Sequence, residues 1–203
     1  TTFTAINGDS CVLKTKVKPP LTAFIAGNDT ICSNTNDNAE VKIYFNNGIP
    51  PYTFAYTYNS VNQSSITTVD NPYILYTKGE GLYTLTSFND ANSSGTISGS
   101  AYVTISDPPN GNFSTSEDTL STLYTTVRFE DESNGDVISW NWDFGDKNYS
   151  NSINPIHTYD DSSGIVQVEL IVVDNNGCRD TTFKQIWLED EFWIYLPNSF
   201  TPD

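Results

Sequence analysis

The chain has 203 residues, a length that suits one large domain or two small ones. Aromatic residues make up 13%, charged residues only 17%, and methionine is absent, a balance that favours pleated, half-buried strands. The formal net charge of −16 is concentrated in residues 107–191 and argues against nucleic acid or an anionic membrane as a partner, because both would repel it.

Residues 1–20 read as the last hairpin of a truncated preceding module. They hold Ala5-Ile6-Asn7-Gly8-Asp9-Ser10-Cys11, a polar turn running into an alternating strand. Similar segments return as Ser87-Phe88-Asn89-Asp90-Ala91-Asn92-Ser93-Ser94 and Val173-Asp174-Asn175-Asn176-Gly177-Cys178. Cys11, Ser94 and Cys178 therefore recur about every 80 residues, the length of a small sandwich. Pro19-Pro20 and Pro108-Pro109 lack amide donors and favour stiff, extended links, which places boundaries near residues 20 and 108.

Within residues 21–107, strands are predicted over 39–45, 52–58, 73–76, 81–88 and 96–105, with Val41, Ile43 and Phe45 on one face. Gly48-Ile49-Pro50-Pro51, Asp70-Asn71-Pro72 and Lys78-Gly79-Glu80-Gly81 are the turns between them. Within residues 108–191, strands are predicted over 123–129, 137–144, 165–173 and 181–188. Ile138, Trp140, Trp142 and Phe144 recur at every second position and are expected on one face, with Gly145-Asp146 turning the chain. No long segment carries a 3.6-residue apolar period. The predicted fold class is all-β: tandem Greek-key β-sandwiches.

Trp142-Asp143-Phe144-Gly145-Asp146, followed by Asn154-Pro155-Ile156-His157-Thr158-Tyr159, closely resembles the signature of PKD domains, small sandwiches strung along extracellular proteins. Residues 23–33, Gly48-Ile49-Pro50-Pro51-Tyr52 and residues 83–103 resemble immunoglobulin-like repeats of surface proteins from Bacteroidetes-type bacteria. In those repeats a cysteine near the start has a partner in the last turn. Cys32 fits the first position but Ser93-Ser94 fills the second, so the resemblance implies that this disulfide is lost. Residues 192–203 contain Leu196-Pro197-Asn198-Ser199-Phe200-Thr201-Pro202-Asp203 and resemble the opening of the gliding-motility-associated C-terminal domain. That domain is the type B sorting signal of the type IX secretion system. It implies export across the outer membrane, an extracellular, cell-surface location, and an outer-membrane β-barrel partner of the PorP/SprF type.

The candidate sites are sparse. Cys11, Cys32 and Cys178 are odd in number, far apart and without metal-ligand spacing, so no disulfide framework is predicted. His157, the single histidine, lies inside the signature and reads as part of the fold. No phosphate-cradling glycine loop, GxSxG elbow or HExxH helix is present, so no catalysis is expected. Asp143, Asp146 and Asp174 stand at predicted strand ends, where carboxylates either cap turn amides or hold Ca²⁺, the one candidate cofactor. The PKD resemblance points to the same three for calcium. Tyr52, Tyr56, Tyr58, Tyr73 and Tyr76 are either a sugar-binding platform or cross-strand packing pairs. Asp29-Thr30-Ile31, Asp118-Thr119-Leu120 and Asp180-Thr181-Thr182 resemble the triplet that Bacteroidetes O-glycosylate on exported proteins, which makes Thr30, Thr119 and Thr181 candidate attachment sites.

No run of 18 apolar residues is present, so no spanning helix is expected. No secretory leader is recognisable, and the chain begins and ends in mid-pattern, like a piece of a longer protein. The expected role is the non-catalytic stalk or adhesive region of a large surface or secreted protein exported by the type IX system, a gliding-type adhesin. The competing expectation is a set of accessory spacers or binding modules in an exported polysaccharide hydrolase or protease.

Overall fold

The computed structural model describes residues 18–160 and 164–190, together with the backbone of one short antiparallel pair, β1 (Phe3–Thr4) with β2 (Ser10–Cys11). Apart from that pair, the hairpin expected across residues 1–20 lies almost wholly outside the described residues, and the sorting-domain opening expected at 192–203 lies entirely outside them. The described chain is all strand and turn. It divides into two compact units, one of Thr1–Asp29 with Asn38–Thr104 and one of Thr30–Asp37 with Ile105–Asp203.

Residues 22–106 hold β3 (Thr22–Ala26), β4 (Asp29–Cys32), β5 (Ala39–Asn46), β6 (Tyr52–Tyr58), β7 (Val61–Asn62), β8 (Ile66–Thr68), β9 (Tyr73–Thr77), β10 (Gly81–Asn89), β11 (Thr96–Ser98) and β12 (Ala101–Ser106), all in the first unit except Thr30–Cys32 of β4 and the last two residues of β12, which fall in the second. One sheet runs β4-β12-β10-β6-β7 with β8 also on β6, and the other runs β11-β3-β5-β9. Strand β5 alternates as its sequence dictates: Ala39, Val41, Ile43 and Phe45 are buried, while Glu40 and Lys42 face out and pair at 3.3 Å. Phe45 stacks across the sandwich on Tyr52 at 4.5 Å and Phe88 at 5.1 Å between ring centres. Strand β10 reaches that stack by changing phase. Its register shifts between Leu85 and Ser87, so burial passes from Tyr83 and Leu85 to Phe88. The single strand expected over 96–105 is two, β11 and β12, broken where Gly99 takes φ 81°.

The second unit holds β13 (Phe113–Thr115), β14 (Thr119–Ser121), β15 (Thr126–Asp131), β16 (Val137–Asp143), β17 (Tyr149–Ser150), β18 (Ile156–Thr158), β19 (Gly164–Asp174) and β20 (Arg179–Glu189). Its sheets run β13-β15-β18 and β14-β20-β19-β16-β17. Phe113, Val127 and Phe129 from the first meet Trp142, Val168, Leu170, Val172, Ile186 and Leu188 from the second in one apolar core. Trp142 is its centre, edge-on to Phe113 at 5.0 Å and 5.5 Å from Phe129. Ile138 does not join the face expected for it. The β16–β19 register shifts between Val137 and Ser139, which turns Ile138 outward at 64% exposure and brings Val137 against the core with Trp140.

The cysteine expectation is also corrected. Cys32 and Cys178 form a disulfide with Cα atoms 5.5 Å apart, both residues belonging to the second unit. Cys32 has a partner in a last turn after all, but in the turn between β19 and β20 and not at Ser93-Ser94. The side chain of Cys11 lies outside the described residues.

Candidate functional site

The densest polar constellation follows β16. Asp143 Oδ1 accepts the Gly145 amide at 2.9 Å, and Gly145 sits at φ 81°. A Cβ there would stand 2.5 Å from the Gln167 carbonyl oxygen, so glycine lets the turn lie against β19. Asp146 Oδ1 accepts the Asn148 amide at 3.0 Å. Its Oδ2 accepts the Asn148 side-chain amide at 3.0 Å and lies 2.7 Å from His157 Nε2. The His157 ring lies flat on Phe144, with 4.2 Å between centres and 3° between planes, and meets Tyr159 edge-on at 4.6 Å. Tyr159 donates its hydroxyl to the Phe144 carbonyl at 3.1 Å, and Trp142 donates its indole N–H to the Ser152 carbonyl at 2.8 Å.

Burial pulls the Asp146 carboxyl upward, but the hydrogen bonds from Asn148 and His157 outweigh it and hold the group below its ordinary value. Burial, then the charges of Asp146 and Asp143, push the Tyr159 hydroxyl well above the tyrosine range, so it remains a neutral donor. A histidine beside a carboxylate is half of a relay that also requires a nucleophile or a substrate in reach. Here one ring face is covered by Phe144 and an edge by Tyr159. The pair ties the β16 turn to β18.

The third predicted carboxylate is a turn cap of the same kind. Asp174 is 5% exposed, and its Oδ1 accepts the amides of Asn176 and Cys178, each at 2.8 Å. Asp90, its counterpart in the repeat, was not singled out from the sequence. It is 8% exposed, accepts the Asn92, Ser93 and Ile49 amides, and is held down to a pKa of about 2 by those of Asn92 and Ile49 foremost. Asp143, Asp146 and Asp174 are thus all engaged with turn amides. Among the described residues, no three His, Cys, Asp or Glu side chains gather as metal ligands. An open depression of about 330 Å³ reaches Asp107, Asp136 and Asp174, and there Asp107 already accepts the Ser33 hydroxyl at 2.8 Å.

Four of the five tyrosines pack against other rings, and Tyr73 and Tyr76 also line an open depression of about 430 Å³ with Asp70, Asn71, Pro72 and Ile74. Tyr52 is buried against Phe45, Tyr58 stacks on Tyr83 at 4.9 Å, and Tyr73 packs on Phe54 at 5.4 Å, leaving Tyr76 exposed. Burial raises the hydroxyl pKa of Tyr56 and Tyr83, as interior packing requires. Thr30, Thr119 and Thr181 all lie on exposed strand positions, in β4, β14 and β20. The Cys32–Cys178 bond and the Asp90 cap are the features that sequence reasoning missed.

The aromatic face of β16, the Gly145 turn and the His157–Tyr159 clasp give the signature its geometry. Residues 107–186 match the PKD domain family. The chain is 32% identical over 72 residues to "Collagenase ColA" of Clostridium perfringens (strain 13 / Type A), a match covering 36% of this chain. It spans about 6% of the length of the curated collagenases it matches. The PKD1 domain of the Vibrio cholerae metalloprotease PrtV is 26% identical, covering 40% of this chain and 98% of that one, with a TM-score of 0.36. Across both units, the chain is similar in fold to a Ca²⁺-stabilized adhesin of an Antarctic bacterium. That likeness has 12% identity and a TM-score of 0.52, and covers 84% of this chain and 49% of that one. Residues 107–186 therefore match a PKD domain, the two units share a tandem all-β sandwich fold with known structures, and no described helix is long and apolar enough to cross a membrane.

Proposed function

We propose that this chain is the stalk and adhesive region of a large cell-surface protein, a gliding-type adhesin exported by the type IX secretion system. The adjoining sorting domain would engage an outer-membrane β-barrel of the PorP/SprF type. The supporting observation is that the polar groups best placed for chemistry are spent on the fold: Asp143, Asp146, Asp174 and His157 hold turns and strands. Two sandwiches whose depressions, among the described residues, are open and shallow suit a spacer that carries a binding tip away from the cell. The test replaces this region, in the whole protein and its host, by two unrelated sandwiches of equal length. Retained surface display and adhesion support the stalk part of the reading, and loss of adhesion with display intact assigns the adhesive contact to this region; a whole protein that never reaches the surface, or does not adhere before replacement, overturns both.

A second reading has its own observation, since two curated proteins similar to part of this chain are collagenases. Under it, the same modules serve an exported protease or polysaccharide hydrolase. Co-sedimentation of residues 1–203 with insoluble collagen and with insoluble polysaccharide decides it: retention supports the accessory role, and absence from both pellets removes it.

A further inference from the structure

The disulfide closes a covalent loop with a sequence separation of 146 residues. Inside that loop lie β5 to β19, which is most of both units; outside it lie β3 and β4 on one side and β20 on the other. Tension applied between the two ends of a chain follows its shortest covalent route. Here that route runs through β3 and β4, crosses from Cys32 to Cys178, and leaves along β20.

We propose that the Cys32–Cys178 bond is a mechanical shunt that removes residues 33–177 from the path of tension. The surroundings of the bond keep both sulfur-bearing segments in place. The Ser33 amide donates to the Ser106 carbonyl at 2.9 Å, and the Asn34 side-chain amide donates to the Arg179 carbonyl at 3.0 Å. Cys178 is fully buried, its amide held by Asp174 Oδ1 and its carbonyl accepting the Asp174 amide at 2.9 Å. At roughly 3.5 Å per extended residue, the bond withholds about 500 Å of chain. An oxidised stalk therefore reaches its full length early and then resists. A reduced one pays out both sandwiches. The biological use of this shunt rests on the tension-bearing role proposed above, but the covalent route does not.

The test stretches single molecules of the 203-residue chain by handles on its two ends. A dithiol reductant supplies two electrons and two protons, giving two thiols and becoming a cyclic disulfide itself. The expected result is a total contour gain on unfolding that is about 500 Å longer after reduction. Cys32→Ser should show the long gain without reductant, and so should Cys178→Ser, which reports independently should one of them fold poorly. Equal gains before and after reduction overturn the proposal, as does intact mass showing free thiols at both positions in air-oxidised protein. Failure of the stalk reading registers separately, as a whole protein that never reaches the surface or does not adhere before replacement.

Discussion

At the scale of single residues, the chain spends its polar side chains on closing turns. Gly145 is the least replaceable, because it combines a left-handed φ of 81° with a carbonyl oxygen 2.5 Å from where a Cβ would stand. Gly145→Ala should destabilise the PKD domain by about 2–3 kcal/mol, seen as a lower urea midpoint with an unchanged slope. The capping carboxylates set the acid response. A carboxyl whose folded pKa is depressed adds stability that is complete above its unfolded value and is lost as pH falls toward the folded one. Asp90 is held to about 2 against 3.8, so the first unit should weaken as pH drops through that interval. Asp90→Asn should flatten the slope, which urea midpoints at several pH values between about 5 and 2 would show. Asp146, also lowered from 3.8, gives the PKD domain a decline of the same sign as pH falls below that value.

At the scale of elements, period-two alternation located most strands, and bulges decided where it misled. Val41, Ile43 and Phe45 alternate through an unbroken strand and are all buried. Ile138 shows the same alternation with Trp142, but one extra residue in β16 moves it to the solvent side. A bulge leaves no mark in the composition of one strand, because it is a mismatch in count between two. Trp142→Ala should therefore cost about 3–5 kcal/mol, whereas Ile138→Ser should stay within about 0.5 kcal/mol, both read from chemical denaturation. The short strands β7, β8, β13, β14, β17 and β18 were not predicted, since two or three residues carry no measurable period, and neither were β3 and β4, whose five and four residues are too few for alternation to stand out. The polar half of the site was more legible. Gly145, Asp143, Asp146 and His157 are local turn and signature residues, and the structure gives each a structural task.

At the scale of the whole molecule, one bond links residues that nothing local associates. A cross-link closing so long a loop removes up to about 5 kcal/mol of unfolded-chain entropy. Reduction should accordingly lower the thermal midpoint, measured by calorimetry with and without a dithiol. The sequence by itself determined that this chain is all-β, that it is repetitive, that it carries the PKD signature, and that Asp143, Asp146 and Asp174 stand at strand ends and turns. Each of those follows from alternation, turn chemistry or a short motif, all carried by neighbouring residues. Only the tertiary structure decided that residues 30–37 belong with the second unit and that Cys32 meets Cys178. Such a bond requires two Cα atoms within about 7 Å, a condition on distance in space that spacing along the chain does not encode.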